Sequence, residues 1–224
     1  MPDISHLSIA QLLIWLSDWL SMTVIIGAGI SGLVRWRRLP RSLQYVAVLT
    51  LFELPLEVLG FGLLLLKRAN LFLMPIYTVG ELVILGLLYE RNLKSAFFTR
   101  ALPWVLAGFT AYVVADSLSG PGPHWFRPGQ QVLQSMLVLG MVALYFRKLL
   151  NELQVKSLER EPMFWVSTGL VIYFLGYLQI ALFSNYLLSH YSSQFNINVW
   201  SVQVLLSIVL HSCYTLALWI RPQK

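Results

Sequence analysis

Four groups able to hold a proton or a polar ligand stand inside stretches that are otherwise apolar. Glu53 and Glu57 interrupt LQYVAVLTLFELPLEVLGFGLLLL, Glu81 interrupts LFLMPIYTVGELVILGLLYE, and His211 lies in the last apolar stretch of the chain. Glu53 and Glu57 are four apart and so share one helical face, with Pro55 between them loosening the backbone hydrogen bonding. Asn70, Tyr77 and Glu81 fall on a second stripe, beside Pro75. A third stripe joins Trp200, Gln203, Ser207, His211 and Tyr214 at steps of three or four. A carboxyl group at mid-membrane costs at least about 2.5 kcal/mol on insertion scales, so these acids are expected to face the interior of a helix bundle. All sixteen lysines and arginines fall in connectors or at segment ends, which leaves His211 as the one buried candidate cation. Such a set suits a proton-linked site, a group of carboxylic hydrogen-bond donors, or a bound cation.

The elements that must position these groups follow from composition. The 224 residues are 57% hydrophobic and 12% charged, with a mean hydropathy of +0.68. That balance excludes an ordinary soluble domain and leaves no room for a separate catalytic or DNA-binding domain. Seven membrane-spanning helices are expected, at about 9–34, 43–66, 71–89, 97–118, 130–149, 163–188 and 198–220, forming one transmembrane domain over residues 1–224. The connectors alternate in charge. Thirteen of the sixteen basic residues, from Arg35 to Lys224, fall in one set, and only Lys67, Arg68 and Arg127 in the other. The positive-inside rule therefore predicts an external N-terminus and a cytoplasmic C-terminus. MPDISHLSIA has no basic n-region, so the first span is expected to be retained as an anchor. The net charge of +6 is an orientation signal, not nucleic-acid affinity, and membrane lipid is the first expected partner. RWRRLPR adds a secondary attraction to anionic lipid.

The remaining polar residues sort by depth. Glu53, Glu57, Glu81 and His211 are placed near the midplane, and Asp18, Asp116, Gln134, Gln179 and Gln203 in the outer half. The inner halves are nearly free of polar groups. A polar cavity open outward and closed inward would produce this distribution, and so would a hydrogen-bonded core without a ligand. Expected ligand- or proton-binding residues are thus Glu53, Glu57, Glu81, His211, Tyr77, Gln203, Ser207, Asp18, Gln134 and Gln179. Gly27, Ala28, Gly29, Ser31 and Gly32, and Gly169 with Gly176, read as close-packing faces. SGPGPHWFRPG reads as an ordered outer cap. Glu152 and Lys156 suggest that the fifth helix continues past the bilayer as an i,i+4 pair.

Several chemistries lack their residues. Residues 198–220 contain no lysine for a retinal Schiff base. Haem ligation by two histidines is not expected, because His6, His124 and His190 lie on the outer side and only His211 is buried. A three-histidine zinc hydrolase is unsupported for the same reason, although a metal held by the three acids and His211 stays open. No cofactor is therefore expected. No G-x-S-x-G motif marks an acyl-transfer nucleophile, so an enzymatic role has little support. A carrier built from two similar triplets would repeat its broken helices, and Pro55 and Pro75 have no counterpart in spans six and seven.

PIYTVGELVILGLLYE, QQVLQSMLVLGMVALYFRKLL and PMFWVSTGLVIYFLG, with the closing helix through His211, resemble an uncharacterised family of bacterial seven-helix membrane proteins. That family is associated with sensor histidine kinases, as neighbours or as fused input domains. The resemblance implies a sensory or receptor-like protein of the bacterial inner membrane, signalling to a cytoplasmic partner such as a histidine kinase. It supplies no active site. A small-solute or proton-coupled carrier using the midplane acids is the alternative.

Overall fold

The structure, a computed structural model, describes residues 9–66, 68–119, 126–152, 158–190 and 193–220. Its helices are α1 (Ile9–Arg35), α2 (Arg41–Leu65), α3 (Met74–Leu93), α4 (Ala96–Ser119), α5 (Pro128–Glu152), α6 (Pro162–His190) and α7 (Ser193–Trp219). All seven are long and apolar enough to cross a membrane, and no strand occurs among the described residues. At about 1.5 Å per residue, even the 20-residue α3 reaches about 30 Å. The third span opens at Leu71 in 3-10 form and turns α-helical at Met74, which places Pro75 in the first turn. A missing N–H there breaks no intrahelical bond, so Pro75 starts the helix instead of loosening it. Pro162 begins α6 in the same way. Pro55, by contrast, lies inside α2.

Six helices close a ring in the order α1, α2, α3, α5, α6, α7 and back to α1. The fourth helix stands outside this ring and packs on α3. Its apolar residues are correspondingly bare: Phe97, Trp104 and Leu118 are each more than 80% exposed, as suits a helix surrounded by lipid. One polar joint holds its far end. Arg127 donates to the carbonyls of Asp116 and Ser117, and Gln130 Nε2 donates to Asp116 Oδ2 at 2.7 Å. These bonds satisfy the last carbonyls of α4 and give Asp116 a structural partner set.

The ring is filled unevenly. Toward the end that carries Arg35–Arg41, Arg91 and Lys148, side chains from five of its helices pack tightly, with Leu43, Val46, Leu85, Leu88, Val142, Leu170 and Leu218 almost fully buried. Arg35 secures this basic end. Its guanidinium donates to the Leu218 carbonyl at 2.7 Å and lies over the Trp219 ring. Trp219 Nε1 in turn donates to Ser31 Oγ at 3.1 Å. Lys148 Nζ donates to the carbonyls of Asn92 and Leu93, satisfying the end of α3 from α5.

The small residues act where backbones meet. A Cβ on Gly32 would stand 2.8 Å from the Ala47 Cβ and 3.2 Å from its Cα, so α1 and α2 touch there through glycine. Gly169 meets Cys213 in the same way, and Gly176 meets Leu206, so both glycines face α7.

The expected outer cap falls mostly on residues 120–125, outside the described residues, as does the expected Glu152–Lys156 pair.

Candidate functional site

The other half of the ring encloses a cavity of about 530 Å³. All six ring helices line it and α4 contributes nothing. Its lining runs from Glu53, Leu210 and His211 at mid-depth to Leu64, Asn70, Leu71 and Trp200 at the helix ends opposite the basic connectors. Below Glu53 and His211 the packed core takes over, so the cavity has a floor.

The floor is an ion-pair-like contact between α2 and α7. His211 Nε2 lies 3.0 Å from Glu53 Oε2, and both side chains are more than nine-tenths buried. The other ring nitrogen, Nδ1, lies 2.8 Å from the Ser207 carbonyl. A carbonyl only accepts, so Nδ1 carries a proton and donates. Nε2 then shares one further proton with Glu53, as imidazolium against carboxylate or as neutral imidazole against carboxylic acid. Either form leaves the pair without net charge. The sequence places His211 on this floor because Gln203, Ser207 and His211 repeat at four-residue steps on one face of α7.

The wall opposite is built by two parallel helices in one register. Gln131 Nε2 donates to Thr78 Oγ1 at 2.9 Å, and Gln134 Nε2 donates to Glu81 Oε2 at 2.7 Å. Both bonds join residues 53 apart in sequence, so α5 runs alongside α3 with a constant offset. Thr78 passes its own hydrogen to the Met74 carbonyl. Tyr77, one helical turn from Glu81, reaches across to α2, where its hydroxyl contacts the Glu53 carbonyl at 3.4 Å and interacts with the Glu57 carboxylate. Near the mouth, Asn70 donates to the Gly60 carbonyl at 3.4 Å. On α6, Tyr173 and Tyr177 stack with ring centroids 5.7 Å apart and planes 18° apart.

Of the residues expected from the sequence to bind, Glu53, Glu57, Glu81, Tyr77, Gln134, Gln203, Ser207 and His211 all line this cavity. Gln179 is exposed on α6 and is not among the residues that line this cavity, because Tyr173 and Tyr177 define the inward face and a residue two past Tyr177 is turned about 200° away. Asp18 lies on α1 with its side chain outside the described residues. Gln131, Thr78, Tyr173 and Tyr177 line the cavity without having been expected there. The i,i+4 spacing of the two tyrosines was the available signal. Among the described residues no three of His, Cys, Asp and Glu gather as a metal-ligand set, so the acids and His211 do not form one.

The arrangement can bind. It offers carboxyl groups, amides and phenols around a space of ligand size, with aromatic faces between them. Compared with known proteins, the chain matches no family model, no curated protein and no solved structure.

Proposed function

We propose that this chain is a receptor-like or sensory protein of a bacterial inner membrane, which binds a small molecule in the cavity and signals to a cytoplasmic partner. The observation that carries the reading is the uneven filling of the ring: a polar cavity in one half and a closed, apolar core in the other. The charge asymmetry of the connectors orients it, with the cavity mouth outside and the packed, basic end in the cytoplasm. A bound molecule would bridge α2, α3, α6 and α7, the helices whose opposite ends form that basic face. The resemblance to seven-helix proteins associated with histidine kinases makes such a kinase the partner to test. Reporter fusions at Lys224 and near Pro123 are expected on opposite sides of the membrane, and the same side for both would sink the orientation.

A proton-coupled carrier is the second reading. The Glu53–His211 pair favours it, because a shared proton at the floor of a solute cavity is the element a coupled carrier uses. Uptake of candidate solutes into proteoliposomes, run beside thermal-shift screening of the same compounds, separates the two. A compound that stabilises the protein and does not cross supports the receptor. Saturable uptake abolished by Glu81→Gln supports the carrier.

A further inference from the structure

We infer that the cavity takes an organic cation, an amine or quaternary ammonium carrying apolar groups. The inference rests on the binding reading above and adds the ligand's chemistry to it. Three carboxyl groups, Glu53, Glu57 and Glu81, face the space together with one imidazole, and no lysine or arginine is among the described lining residues. The Glu53–His211 pair is neutral as a unit, by the proton placement given above. The excess is therefore acidic. Gln134 donates to Glu81 Oε2 and the Tyr77 hydroxyl interacts with Glu57, which holds both carboxyl groups at the cavity wall. A cationic ligand supplies the counter-charge that lets such acids ionise away from water, whereas an anionic ligand would face the carboxyl groups of Glu57 and Glu81 with no cation beside it.

Size and surface exclude a bare ion as the whole occupant. A space of about 530 Å³ lies in the range of sites for organic molecules, and a metal ion would leave most of it unfilled. The walls between the acids are aromatic: the stacked Tyr173 and Tyr177, with Tyr77, Trp200 and Phe61. Ring faces attract an ammonium group and accept its alkyl substituents, which a strongly hydrated inorganic ion cannot exploit. Carboxylate and ring faces together select charge and carbon at once.

The test compares benzyltrimethylammonium with its neutral carbon isostere, neopentylbenzene, and with benzoate. Binding to purified protein in nanodiscs is measured by thermal shift and calorimetry. The expected result is binding of the ammonium ion at least about tenfold tighter than the isostere, with no benzoate binding. Glu81→Gln, which keeps the shape and an amide-compatible oxygen, is expected to lose most of that preference, as is Glu57→Gln, while Gln179→Ala retains it. Equal binding of the isostere would overturn the cation class and leave the binding reading in place. Benzoate binding would overturn it as well. A panel of alkylammonium ions of graded size that all fail to bind would also end it, and the binding reading would then rest on its own solute screen.

Discussion

His211 Nε2 and Glu53 Oε2 meet at 3.0 Å across the interface of α7 and α2, 158 residues apart in sequence. The contact fixes how those two helices approach at the cavity floor, and each group makes the burial of the other tolerable. Removing one partner leaves a buried polar group with nothing opposite it. His211→Leu is expected to destabilise the protein by about 3–5 kcal/mol, and Glu53→Leu by a comparable amount. The double substitution Glu53→Leu with His211→Leu is expected to recover much of that loss, because no charge is left stranded. Unfolding in mixed detergent micelles gives the three values. Additive losses in the double variant would contradict the pairing.

At Gly32 the limit is space. A side chain there meets the backbone of Ala47, which cannot turn aside as a flexible side chain can. Gly32→Leu is expected to force α1 and α2 apart and to cost about 1–3 kcal/mol. Gly108, where an added Cβ meets nothing, is the matched control. Gly108→Ala is expected to leave stability unchanged or slightly higher, since it favours the helix. Equal losses at both positions would remove the close-contact explanation.

Tyr214 carries the opposite kind of stress. Its side chain is fully buried beneath His211, and its hydroxyl has no hydrogen-bond partner among the described residues. Tyr89, at a comparable depth, pairs its hydroxyl with Ser167 Oγ at 2.9 Å. Tyr214→Phe is expected to be neutral or to stabilise by up to about 1 kcal/mol, whereas Tyr89→Phe strands the serine and destabilises by about 1 kcal/mol. Thermal unfolding of the two variants side by side checks the difference in sign. A clear loss from Tyr214→Phe would mean that its hydroxyl is bonded after all.

The spans were legible in the sequence because each is a long apolar run bounded by charge, and that signal does not depend on tertiary contacts. The mid-depth acids were legible for a related reason: a carboxyl group in such a run has few places to point. Depth, however, is not direction around the helix. Gln179 lies at a suitable depth and still faces outward, because α6 is apolar on every side and offers no stripe from which to read its inner face. Tyr173 and Tyr177 carry only their i,i+4 spacing as a signal, and on such a helix aromatic residues so spaced look like core packing. Nothing in composition separates α4 from the other spans either. Its place outside the ring follows from pairwise packing, in which α5 matches α3 through Gln131, Gln134 and Lys148.

The receptor reading requires that the cavity be reached from one side of the membrane only. Gln203, inside the cavity on α7, gives a direct probe of this. Gln203→Cys in a Cys213→Ala background is treated with a membrane-impermeant thiol reagent in right-side-out and in inverted vesicles. Modification is expected only in right-side-out vesicles, where the end opposite the basic connectors faces the reagent, and it is expected to stay so when a bound compound is present. Modification from the basic side, in either condition, would contradict a closed inner half and would favour a carrier that opens both ways.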